Sequence, residues 1–103
     1  MEVIYYKTAK GNSPFIDWLK KLKDKQAVKQ IRKRVNRLQL GHLGDVESIG
    51  DSILELRVHH GPGYRLYCTK VDETIMIMLC AGNKSSQQRD IDKAKEYWND
   101  YNS

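Results

Sequence analysis

Two hydrophobic periods alternate along this 103-residue chain, and the switches between them mark out its elements. The β-branched and aromatic run Glu2–Tyr6 predicts a first strand. Phe15, Trp18, Leu19 and Leu22 then recur at i, i+3, i+4 and i+7, one buried face of a helix. Ser13 is its expected N-cap, Pro14 its first residue, and Asp17 lies in its first turn. A second helix is predicted from Asp24 to about Leu40, with Val28, Ile31, Val35 and Leu38 as its apolar stripe and Gly41 as its stop. Residues 41–52 read as a Gly-rich, acidic connector.

From residue 53 the period becomes two. Leu54, Leu56 and Val58 alternate with Glu55, Arg57 and His59, the pattern of a half-buried strand whose polar set faces outward. In 63–70, Leu66 and Cys68 alternate with Arg65, Tyr67 and Thr69. A turn at Val71–Glu73 leads into 74–81, apolar on both faces and so expected to be a central strand. Ser85 to about Tyr101 reads as a last helix, with Ser85 and Gln88 as a capping box and Ile91, Ala94, Trp98 and Tyr101 as its buried stripe. The order β-α-α-β-β-β-α predicts an α+β fold: an antiparallel meander, the N-terminal strand at one edge, and helices packed on the sheet. The length suits one domain, residues 1–103.

Composition narrows the classes. There is no run of 18 apolar residues, and the N-terminus has no basic segment followed by an apolar one, so a cytoplasmic protein without membrane attachment is expected. Cys68 and Cys80 lie in strand-like surroundings and are expected to be reduced core thiols; with no Cys/His cluster, no metal or cofactor is implied. Net charge is +5, unevenly placed: residues 1–40 carry eleven Lys/Arg against three acids, whereas 41–60 carry one Arg against four. At 100° per residue, Lys25, Lys29, Arg32, Lys33 and Arg37 fall on the outward arc of the second helix. Such a face is either a solvated surface or a track for a phosphate backbone, and nucleic acid is the expected polyanion.

Candidate chemistry concentrates in "HHGPGYRLY", His59–Tyr67. If Arg57, His59, Arg65 and Tyr67 share one sheet face, two guanidinium groups, an imidazole and a phenol converge there, with Lys84, just before the last helix, entering the same area. Two arginines can offset the charge that grows on a pentacovalent phosphorane, and His59, His60, Lys84 or a tyrosine could move protons. No water-activating carboxylate pair is evident, so attack by the 2′-hydroxyl of RNA is the reaction that such a site suits. The plainer reading pairs Arg57 with Glu55 or a neighbouring strand and makes Tyr64 and Tyr67 packing residues.

"ELRVHHGPGYRLY" followed by "LCAGNKSSQQRDIDKAKEYW" resembles the RelE/ParE superfamily of toxin–antitoxin toxins, and within it the phage-derived, HigB-like addiction module killer proteins. "GNSPFIDWLKKLKD" and "RLQLGHLGDVESIG" extend the likeness over nearly the whole chain. The resemblance implies a RelE-like fold and a toxin of a type II system that cuts mRNA on the ribosome without a metal. Arg57, Arg65 and Lys84 would stabilise charge on the scissile phosphate. Classical members carry lysines in the strand before the hairpin. Ile53 and Glu55 stand there in this chain, and under this resemblance the base would be His59 or His60. Tyr64, Tyr67 and the helix cations Lys25, Lys29, Arg32, Lys33 and Arg37 would contact RNA. Implied partners are an antitoxin, the ribosome with its mRNA, and operator DNA through the antitoxin complex. Two further readings stand beside this one: a ParE-like gyrase inhibitor without catalysis, and a decayed toxin that acts as an antitoxin-binding co-repressor.

Overall fold

Residues 1–103 are all described in a computed structural model of the chain. Its elements are β1 (Glu2–Tyr5), α1 (Pro14–Lys21), α2 (Lys25–Gln39), β2 (Val46–Ser48), β3 (Ile53–Val58), β4 (Tyr64–Asp72), β5 (Ile75–Asn83) and α3 (Gln87–Tyr101), with a 3-10 turn at Lys84–Ser86 before α3. Both first helices start where local chemistry places them. The Ser13 hydroxyl accepts from the Ile16 amide, and the Asp24 carboxylate accepts from the Gln26 and Ala27 amides, satisfying donors that a helix start leaves open.

The five strands lie in the order β1-β5-β4-β3-β2, with β1 parallel to β5 and the other pairs antiparallel. One face carries α1 and α2 over Leu56, Leu66, Cys68, Met76 and Met78. On the other face, Ile53, Tyr67, Ile77, Leu79 and Cys80 meet Ala94 of α3. Helices therefore cover both faces, and this overturns the expectation that the Glu55 and Tyr67 side of the sheet faces outward. Tyr67 is wholly buried and Glu55 is 1% exposed. An alternating strand is only half-buried when one face is free, and α3 removes that freedom.

Three smaller expectations also change. The connector 41–52 contains β2, an edge strand paired with β3 through Val46–Leu56, Glu47–Glu55 and Ser48–Leu54. The capping box at Ser85 and Gln88 does not form; instead Asn83 caps the 3-10 turn by accepting from the Ser85 amide, and Ser86 Oγ donates to Asp90 at 2.5 Å. Tyr101, expected in the stripe of α3, is 42% exposed and stacks on Trp98. Cys68 and Cys80 are free and buried, and burial pushes the Cys68 thiol up to about 12. No helix is long and apolar enough to cross a membrane.

Candidate active site

Pairing register builds the site. Arg57 of β3 lies directly opposite Arg65 of β4, and Glu55 lies directly opposite Tyr67 on the same face. Like charges placed opposite each other across two strands repel. The buried Glu55 carboxylate stands between them: its Oε1 is 3.5 Å from Arg57 Nε and 3.8 Å from Arg65 Nε. Its Oε2 accepts from the Tyr67 hydroxyl and from Gln87 Nε2, each at 2.9 Å. One carboxylate thus tethers two arginines from two strands and ties them to the first turn of α3. Burial, reinforced by the bond to Glu55, raises the Tyr67 hydroxyl above its ordinary pKa of 10.

The arginines reach from this buried anchor into a cleft of about 390 Å³ at the β3–β4 hairpin, lined also by His59, His60, Tyr64 and Lys84. Gly61 and Gly63 flank Pro62 in left-handed conformations, with φ of 55° and 82°, which lets the hairpin turn tightly. The Lys84 amide donates to the Gly63 carbonyl at 3.1 Å, so the start of α3 is stitched to the hairpin and Lys84 is held at the cleft's edge.

Carboxylates already engage most of the remaining cations. Arg57 pairs with Glu47 of β2 and, at 3.7 Å, with Asp45. His59 Nε2 donates to Asp45 at 2.5 Å, and His60 Nε2 donates to the α2 cap Asp24 at 3.2 Å. The hydrogen bond from His59, with Arg57 nearby, holds the Asp45 carboxyl below its ordinary range. The Ala27 amide, then His60, does the same for Asp24. Lys84 takes part in none of these pairs and is exposed.

The expected residues divide accordingly. Arg57, Arg65, Lys84, His59 and His60 meet around one cleft. Tyr67, expected at the RNA surface, is buried beneath it and can stack on nothing there. Tyr64 is 5% exposed and packs in a T-shaped contact against Trp18, so little of its ring is open to the cleft. Lys25, Lys29, Arg32, Lys33 and Arg37 are all exposed on α2. Glu55 and Gln87 were not foreseen as site residues. Arg34 was not either: it is 5% exposed, and it donates from Nη2 to the Asp45 carbonyl at 2.8 Å and from Nε to the Arg57 carbonyl at 3.3 Å. A signal for Arg34 existed, since it falls beside Ile31, Val35 and Leu38 on the apolar side of α2.

Arginines, histidines and a lysine gathered at one hairpin cleft of a small α+β domain define a class of small basic proteins. Residues 17–99 match the model of the phage-derived Gp49-like proteins (DUF891), and the chain belongs to this family of toxin–antitoxin toxins of the HigB/RelE type. A relative from Haemophilus influenzae (strain Rd), described only as an uncharacterized protein, is 46% identical over 81 residues, covering 79% of this chain and 82% of the relative.

Proposed function

We propose that the chain is the toxin of a type II toxin–antitoxin pair and acts as a ribosome-dependent mRNA endonuclease that needs no metal. The observation that carries this reading is the opposed pair Arg57 and Arg65, oriented by one buried carboxylate and opening into a cleft with Lys84, His59 and His60. In the proposed reaction the 2′-oxygen bonds to phosphorus as the P–O5′ bond breaks. His59 takes the 2′-hydroxyl proton, and Lys84 or His60 supplies one to the departing 5′-oxygen. Arg65 and Arg57 bind the phosphoryl oxygens as negative charge builds, a role for which the Glu55 carboxylate between them, 3.5 and 3.8 Å from their Nε atoms, gathers both side chains. The products are a 2′,3′-cyclic phosphate and a 5′-hydroxyl. An antitoxin partner would neutralise the toxin, and the expected setting is the cytoplasm.

The test is to map the 3′ ends left on an mRNA by purified protein and programmed ribosomes. Cyclic-phosphate ends that vanish in the His59→Gln/His60→Gln double variant support the mechanism. Cleavage unchanged in that variant removes the histidines from it. A second reading, a toxin that has kept only its antitoxin-binding and co-repressor role, draws on Glu47 and Asp45: they already neutralise Arg57. It predicts intact message in every variant.

A further inference from the structure

Next to the hairpin cleft lies a second pocket of about 280 Å³, lined by Lys33, Arg34 and Arg37 of α2 together with Asp45, Arg57 and His59. Four of these side chains are lysine or arginine, and its one carboxylate, Asp45, is already engaged by His59 and Arg57. Arg34 is the informative member. It is only 5% exposed, two of its three nitrogens donate to backbone carbonyls, and the third, Nη1, is buried with no acceptor. A buried guanidinium nitrogen without an acceptor is costly. Burial, and then Arg37 alongside, lowers the Arg34 pKa, the direction expected of a cation short of counter-charge. Gly44 covers this nitrogen: a Cβ there, at a φ of +63°, would come within 2.9 Å of Nη1. The loop can therefore close on the guanidinium only with glycine there.

We infer that this α2 pocket is a phosphate subsite, taking an RNA backbone phosphate that flanks the one held in the hairpin cleft. Arg34 supplies a fixed positive charge from beneath the pocket, its Nη1 covered by Gly44, while Lys33 and Arg37 contact the anion from the exposed side. Arg57, Val58 and His59 line both pockets, so a strand can pass from one to the other without leaving the protein surface. The basic helix then has a focus: not all five outward cations are equivalent, and Lys33 and Arg37 grip where Lys25, Lys29 and Arg32 only add to the field. The RNA source of the phosphate rests on the proposed function; the anion site itself does not.

The experiment follows the Nε–Hε signals of the arginines by NMR as inorganic phosphate is titrated into the intact protein. The subsite predicts a saturable response at Arg34 and Arg37 in the wild-type protein; the Arg34 response should disappear in Lys33→Gln/Arg37→Gln and persist in Arg65→Ala. Both substitutions in the double variant are at exposed positions, so its fold is checked by the unchanged remaining spectrum. Binding of a 2′-O-methyl hexauridylate is then measured against salt, and the double variant should lower the slope by about 0.7 for each phosphate it no longer neutralises. A weak drift shared by all exposed cations, with no saturation at Arg34, overturns the subsite. A saturable Arg34 response with a salt slope unchanged in the double variant overturns its assignment to RNA and leaves a site for free phosphate. Failure of the cleavage reading would show differently, as unaltered message beside an intact phosphate response.

Discussion

Removing the charge of Glu55 while keeping its shape should loosen the whole site. In Glu55→Gln the amide oxygen can still accept from Tyr67, but nothing then separates Arg57 from Arg65 on opposed strand positions. Breaking a fully buried ion pair by deleting one partner costs about 3–5 kcal/mol. The arginine side chains are 30% and 16% exposed, so water screens part of that cost, and Glu47 and Asp45 still hold Arg57. Arg65 has no other carboxylate and bears most of the effect. A destabilisation of about 2–3 kcal/mol is therefore expected, equivalent to a fall in Tm of roughly 8–24 °C for a domain of this size. Urea unfolding should show the same change as a lowered midpoint with an unchanged slope. The decisive comparison is a double-mutant cycle with Arg65→Ala: once Arg65 is gone, the cost of Glu55→Gln should shrink by at least about 1 kcal/mol. A Glu55→Gln protein within about 0.5 kcal/mol of wild type, or strict additivity in the cycle, would refute the claim that this carboxylate organises the arginines.

Other outcomes follow from single interactions. Tyr67→Phe strips one hydrogen bond from a buried carboxylate and should cost about 1–2 kcal/mol by thermal melting, while RNA affinity in a filter assay moves only as far as the arginines do. Gly44→Ala forces a Cβ against Arg34 in a left-handed backbone conformation and should destabilise by at least about 1 kcal/mol, read by chemical unfolding. For Asp45 the folded carboxyl titrates below its ordinary 3.8, so its contribution is fully present above that pH and is lost as pH falls through the lower folded value. Asp45→Asn should thus be less stable than wild type at about pH 6, and the gap should close under strong acid; a gap that persists there would contradict the pairing.

The fold was legible where a few neighbouring residues decide the outcome. Ser13 with Pro14, and Asp24 ahead of the α2 stripe, announce helix starts because capping is local chemistry. β2 was not legible, because Val-Glu-Ser has no periodicity of its own and becomes a strand only by pairing with β3. The site was half legible. Its arginines, histidines and Lys84 stand close in sequence or at neighbouring strand ends, whereas the carboxylate that holds it together looked like a solvent-facing residue of an alternating strand. What hides Glu55 is α3, whose Gln87 reaches back to it across a separation of 32 residues. The apolar stripe of that helix required a sheet face to cover, and Ile53 shares the Glu55 face, so the clue was present but lay in two distant segments.

In the proposed mechanism the hairpin cleft is a catalytic site, and Arg65 supplies the main charge on the scissile phosphate. The most direct measurement is mRNA cleavage on programmed ribosomes by wild-type protein and by Arg65→Ala, with equal folded fractions confirmed beforehand. Removing one preorganised donor to the developing charge predicts a rate lower by about 10²–10³-fold. Equal cleavage by the two proteins, or an intact message with both, would contradict it.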